Sequence, residues 1–172
     1  MTKEELLEKK ISAISLGCDK NRVDLEHMLF DLNQFGFTIE PEVEKSQIVI
    51  INTCAFISSA IEEALDNINY CLTLKNNKIV EKIIVSGCLP QREYNLLKEH
   101  YPEIDYVLQL NENKKICEII SQLYGVEQIE ANCLASGRII THVGKYAYLK
   151  ISDGCSNGCA YCTIPRIRGR FK

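Results

Sequence analysis

Four short apolar runs, rich in β-branched residues and separated by stretches of helical period, constrain this chain most. They are ISAISL (11–16), SQIVIIN (46–52), KIIVSG (82–87) and IDYVLQL (104–110). A strand wetted on one side alternates apolar and polar residues, whereas a nearly continuous run fits a strand covered on both faces. Between the runs, Leu25, Met28, Leu29, Leu32 and Phe35 recur at helical spacing. Ile57, Ala60, Ile61, Ala64, Leu65 and Ile68 do the same, with Ser59 and Glu62 spaced for a capping box at the start. Pro90 suits the first turn of a third helix over 91–100. A fourth is expected over 112–124, with Ile116, Ile119, Ile120 and Leu123 on one face and Gly125 at its stop. The order βαβαβαβα implies parallel strands with right-handed crossovers, an α/β fold with a doubly wound parallel sheet. The spacing predicts a first domain over 1–128 and a linker, IEANCLASG, over 129–137. A further segment over 138–172 opens with two expected strands, RIITHV (138–143) and YAYLKIS (146–152).

A chain of 172 residues can bury one proper core but not two large ones. Hydrophobic residues at 46% and charged residues at 25% are ordinary for a soluble globular protein. No apolar run is long enough to span a bilayer, and the charged start MTKEELLEKK lacks the apolar core of a signal peptide. A cytoplasmic location without membrane partners is therefore expected. The net charge of −3 gives no global argument for nucleic-acid binding. Arg166, Arg168, Arg170 and Lys172 crowd the last positions with no acid among them, a run that reads most simply as solvated surface.

The unusual count is nine cysteines. Disulfides are disfavoured in a cytosolic chain, and an odd number cannot pair completely, so ligation, catalysis or burial must explain them. Cys18, Cys54 and Cys88 each follow an expected parallel strand, in SLGCDKN, INTCAF and SGCLPQ. All three therefore fall at the carboxyl edge of the sheet, where open α/β sheets bind ligands. One such cysteine would be read as a small buried residue. Three in the same topological position favour a shared metal or iron–sulfur site. Gly17 and Gly87 precede two of them, where glycine permits sharp turns or close approach. Cys71 and Cys117 lie within helical periodicity and Cys133 in the linker, so burial accounts for these three.

Cys155-x-x-x-Cys159-x-x-Cys162 is the tighter signal, in a loop with Gly154 and Gly158. Thiolates at this spacing can chelate one metal centre. Zinc is the plainer alternative, but structural zinc wants four protein ligands, and His142 is the one obvious local fourth candidate. Three cysteines suit a four-iron cluster that keeps one iron open.

The CxxxCxxC pattern resembles that of the radical S-adenosylmethionine (SAM) enzymes. ISLGCDKNRVDLEHML, IVIINTCAFISSAIEEAL, SGCLPQR and DGCSNGCAYCTIPRIRGRF resemble the methylthiotransferase family within it, over almost the whole chain from Ile11 onward. Cys18-Asp-Lys-Asn-Arg-Val-Asp24, Cys54-Ala-Phe-Ile57 and the Ile-Pro-Arg-Ile-Arg-Gly run over 164–169 look like the RimO-type branch. That branch methylthiolates the β-carbon of an aspartate in a small-subunit ribosomal protein. The other branch acts on an adenosine of tRNA and typically has Ser-Val-Arg after the second cysteine.

The resemblance implies that Cys155, Cys159 and Cys162 bind a [4Fe–4S] cluster whose free iron takes SAM, with Tyr161 near the adenine. It implies that Cys18, Cys54 and Cys88 hold an auxiliary [4Fe–4S] cluster that carries or donates sulfur. In the family, SAM cleavage yields a 5′-deoxyadenosyl radical, which removes a hydrogen from an unactivated C–H bond. Sulfur is then inserted and a second SAM supplies the methyl group. An electron donor is needed, and the cofactors carry the chemistry while the protein positions them.

The family's catalytic domain is a (β/α) barrel, of which a full version takes about 250 residues. The segment 138–172 therefore reads as the truncated start of a radical-SAM barrel, and turnover by this polypeptide alone is not expected. Two rivals from other classes are a non-catalytic iron–sulfur module acting with a partner chain, and a structural zinc protein.

Overall fold

The computed structural model describes residues 1–126, 137–142 and 144–172. Five parallel strands form one sheet in the order β2-β1-β3-β4-β5. They are β1 (Lys10–Ser15), β2 (Thr38–Ile39), β3 (Ile48–Thr53), β4 (Lys82–Gly87) and β5 (Tyr106–Val107). The helices are α1 (Lys3–Leu7), α2 (Asp19–Phe35), α3 (Ser58–Asn76), α4 (Cys88–Arg92), α5 (Tyr94–His100), α6 (Ile116–Leu123) and α7 (Ile164–Arg168). The chain winds outward from β1 through α2 to β2, then returns across β1 to β3 and proceeds the other way. The winding direction thus reverses between β1 and β3, which opens a crevice at their carboxyl ends.

β3 is buried at all six positions, as expected for a central strand with both faces covered. Its side chains alternate between two cores. Ile48 and Ile50 pack with Leu25, Met28, Leu32 and Ile120 of α2 and α6. Val49 and Ile51 pack with Ala64, Ile68, Leu89 and Leu97 of α3, α4 and α5. Fully burying each such isoleucine contributes on the order of 1.5–3 kcal/mol, so the central strand anchors the fold.

Several expectations at element ends change. The run 104–110 pairs only at Tyr106 and Val107. Beyond it, the backbone N–H of Gln109 donates to Glu112 in a capping box that starts a 3-10 turn, Leu110–Lys115, ahead of α6. The short edge strand β2 carries no periodic signal of its own and was not expected. Ser59 lies inside α3 rather than before it, so the Ser59–Glu62 capping box does not form; Ile57 is the cap and makes no side-chain bond. The third helix begins at Cys88 and breaks at Glu93, whose backbone leaves the helical region at φ −125°, ψ 39°. Gly125 takes a left-handed conformation, φ 66°, just after α6, as its position predicted.

The expected strands over 138–143 and 146–152 are not formed among the described residues. A strand needs a neighbouring backbone, and here the partners are mostly side chains, with one carbonyl from the middle of α2. The N–H of Ile139 donates to the Glu26 carbonyl, the N–H of Thr141 to the Glu26 carboxylate, and the Tyr148 carbonyl accepts from Arg138. Cys133, most of the expected linker and the expected boundary at 128 lie outside the described residues. Among the described residues no helix is long and apolar enough to cross a membrane.

Candidate metal centre

The sheet register decides where the first cysteine set falls. Ser15 pairs with Asn52, Asn52 with Ser86, and Thr53 with Gly87. Cys54 and Cys88 are therefore the next residues of two adjacent, in-register strands. Cys18 stands three residues beyond the end of β1 and caps α2 from an extended conformation. The three lie around the crevice where the winding reverses.

Gly87 makes the close approach possible. Its φ is 92°, and a Cβ there would stand 2.8 Å from the Asn52 Oδ1 and the Thr53 nitrogen, and closer still to the Thr53 carbonyl oxygen. Gly17 plays the same part beside Cys18, because a Cβ would overlap the Asn21 side chain.

Beneath the cysteines lies a buried polar network. Asn21 Nδ2 donates to the Thr53 carbonyl at 2.8 Å, and Asn52 Nδ2 to the Asn21 carbonyl at 2.8 Å. Thr53 Oγ1 donates to the Ser86 carbonyl at 2.6 Å, and the Cys88 Sγ–H points at Asn21 Oδ1 at 3.6 Å. These bonds fasten the start of α2 to the ends of β3 and β4. Buried polar groups must be satisfied, so the network fixes the geometry of this edge.

Burial pushes the Cys88 thiol up, the Arg168 guanidinium beside it opposes that shift, and Cys54 and Cys18 add to it. The three thiols thus share one electrostatic field. Cys88 is buried, Cys54 half-buried and Cys18 exposed, and none is in a disulfide. Among the described residues no three Cys, His, Asp or Glu side chains stand close enough to hold one metal ion. The three share an edge, but their side chains do not form a closed cage. The donor set still fits a soft metal centre: three thiols, backbone held close by glycine, and a cation to offset negative charge.

The second set lies in the loop before α7. Cys155 and Cys162 are half-buried and Cys159 is exposed. The N–H of Cys155 donates to the Gly169 carbonyl at 3.0 Å and that of Cys162 to the Cys159 carbonyl at 3.1 Å. Tyr161 is 90% exposed. The His142 ring lies tilted against Tyr146, 4.7 Å between centroids, and its Nε2 faces the Tyr146 carbonyl, so those contacts tie it to its own segment. Cys71 and Cys117 are buried within the cores, as expected.

The basic run is only partly solvated. Arg166, Arg170 and Lys172 are exposed, but Ile167 is buried in the core beside Leu89, and the Arg168 side chain is 7% exposed. Arg168 pairs with Asp24 at 2.6 Å and Asp153 at 3.3 Å, and donates to Asn21. Lys150 joins the same cluster through Asp24 and Asp153. Sequence reasoning missed Asn21, Asn52, Asp24 and Arg168. One signal was available: Asn52 and Thr53 end an otherwise apolar central strand, an expensive place for amide and hydroxyl groups without a purpose.

A five-stranded parallel sheet with helices packed against it, and a winding reversal between β1 and β3, defines an α/β domain of the doubly wound type. The model described as "Uncharacterized protein family UPF0004" matches residues 10–109, and the chain belongs to that family, the N-terminal domain of methylthiotransferases. It is similar to proteins called "Ribosomal protein uS12 methylthiotransferase RimO". The one from Thermoanaerobacter sp. (strain X514) is 40% identical over 171 residues, covering 95% of this chain and 39% of the relative. That from Trichlorobacter lovleyi is 38% identical over 175 residues, covering 97% and 39%. That from Clostridium botulinum (strain Hall) is 36% identical over 170 residues, covering 95% and 38%. The chain thus spans under two fifths of the length of these relatives.

Proposed function

We propose that this chain serves the methylthiolation of the β-carbon of an aspartate in a small-subunit ribosomal protein, with SAM and two [4Fe–4S] clusters as cofactors. Cys18, Cys54 and Cys88 are the proposed ligands of one cluster, and Cys155, Cys159 and Cys162 of the other, with Tyr161 beside SAM. The observation that supports the reading is the placement of the first three cysteines along one sheet edge, against which the segment bearing the second three is packed. The relatives' printed names support the ribosomal-protein branch over the tRNA branch.

When bound, the clusters would supply the one-electron and sulfur chemistry that side chains lack. The chain's own residues hold and orient. Gly87 and the Asn21–Asn52–Thr53 network fix the first site's backbone, and the ion cluster around Arg168 keeps the second segment against it. Exposed Phe56 and Ile57, next to Cys54, offer an apolar rim at the same edge. Complete turnover, with an electron donor and in the cytoplasm, is assigned to a protein of the length of the relatives.

Anaerobic reconstitution with iron and sulfide, followed by Mössbauer and EPR counting, tests this. Alanine at Cys18, Cys54 and Cys88 is expected to remove one four-iron cluster and leave a SAM-responsive one. Loss of both together would sink the two-site reading, and uptake of zinc without four-iron clusters would sink the metal assignment.

A further inference from the structure

Arg168 belongs to the segment that carries Cys155, Cys159 and Cys162, yet its guanidinium ends among residues of the sheet domain. It meets Asp24 and Asn21 of α2 and Asp153 of its own segment, and its charge acts on the Cys88 thiol. Asn21 Oδ1 also receives the Cys88 Sγ–H. One side chain therefore joins the first cysteine set, through the shared Asn21 oxygen, to the helix that starts beside it and to the approach to the second set.

The structure next to Arg168 is tied together by packing and backbone hydrogen bonds. Ile167 is buried in the core that holds Val85 and Leu89. Asp153 and Lys172 exchange backbone hydrogen bonds at 2.9 and 3.0 Å, and Cys155 donates to Gly169 at 3.0 Å. Gly154, at φ 70°, has the backbone of Gly169 and Arg170 packed where a Cβ would stand. α7 and the loop entering Cys155 are one unit, and Arg168 is its polar anchor on the sheet edge.

We propose that Arg168 is a positioning residue that couples the two cysteine sets. It seats the Cys155 loop on the carboxyl edge, and it holds a positive charge and N–H donors against Cys88, so that the potential of an iron–sulfur group on Cys18, Cys54 and Cys88 depends on the second segment being docked. The second half rests on the two-cluster reading. A cation and an N–H donor beside a ligating thiolate favour the reduced, more negative cluster. Lysine cannot reproduce the arrangement, because Arg168 meets Asp24 and Asp153 with one nitrogen of its planar fork and Asn21 with another, and an ammonium would have to reach all three from a single atom.

The test uses the full 172-residue chain with Cys155, Cys159 and Cys162 changed to alanine, so that only the first site loads. Two quantities are read: the midpoint potential by EPR-monitored titration, and hydrogen exchange at the amides of Asp153, Cys155 and Lys172. With Arg168→Gln, the reduced-to-oxidised ratio at fixed potential is expected to fall about tenfold, a shift of about 59 mV for one electron. The three amides are expected to exchange at least about tenfold faster, while β3 and β4 stay protected. Arg168→Lys is expected to restore part of the potential but not the amide protection. An unchanged potential and unchanged exchange in Arg168→Gln overturn the proposal. If Arg168→Gln also exposes β3 and β4, Arg168→Lys decides, and parental values there overturn it. A chain that takes up no iron refutes the cluster reading instead. The exchange measurement needs no iron, and unchanged protection then overturns the docking role.

Discussion

Gly87→Ala is the sharpest test of how the first site is built. The glycine sits at φ 92°, ψ −148°, a region that L-residues rarely enter, and occupying it costs an alanine of order 1–3 kcal/mol. The new methyl would also lie 2.8 Å from two atoms of Asn52 and Thr53 and nearer still to a third. β3 cannot yield easily, because it is hydrogen-bonded to β1 and β4 along its length. Overpacking of this kind costs about 1–3 kcal/mol. Together the two effects predict a loss of about 2–6 kcal/mol, against a total stability of about 5–15 kcal/mol for a typical domain. In a chain of this size that is a fall in Tm of roughly 10 °C, readable by urea or thermal denaturation under reducing conditions. Gly158→Ala is the control, since nothing lies within 4 Å of its added Cβ, and a change within about 0.5 kcal/mol is expected. A Gly87→Ala protein within about 1 kcal/mol of the parent would refute the claim that β3 and the Cys88 turn are packed backbone to backbone.

Other expectations follow from particular contacts. Asn21→Ala removes the donor to the buried Thr53 carbonyl and the acceptor facing Cys88 and Arg168; denaturation should show a loss of about 2–3 kcal/mol. Glu26 is 2% exposed and accepts from the amide and hydroxyl of Thr141 while pairing with Arg138. Glu26→Ala should cost about 3 kcal/mol and speed exchange at the Thr141 amide, and unaltered exchange would contradict the packing of 137–142 on α2. Burial pushes the Cys71 thiol up to about 12. Because its folded value is raised, its contribution to stability is complete below the ordinary thiol range and is lost as pH rises from about 9 towards 12. Cys71→Ala should flatten that alkaline slope, and in the parent Cys71 should resist alkylation at pH 8 while exposed Cys18 and Cys159 react.

The sequence by itself determined the sheet and the candidate ligands. Short, nearly continuous apolar runs rich in β-branched residues favour strands with both faces covered, and their alternation with helices leaves parallel winding as the solution. Cysteines placed after three of those strands then had to reach one edge. What periodicity could not show was decided by partners distant in the chain. The two-residue strand β2 exists because β1 offers it an edge. The run over 104–110 stops pairing after Val107, where Glu112 captures the next amide. The described residues of the expected strands, 138–142 and 146–152, instead find Glu26 and Arg138, and no ladder forms among them. Arg168 gives the clearest contrast. In sequence it is one of four cations in a row and reads as solvated. In the tertiary structure Asp24, Asp153, Asn21 and Cys88 surround it. A charge's role depends on what faces it, and only the folded chain brings those facing groups together.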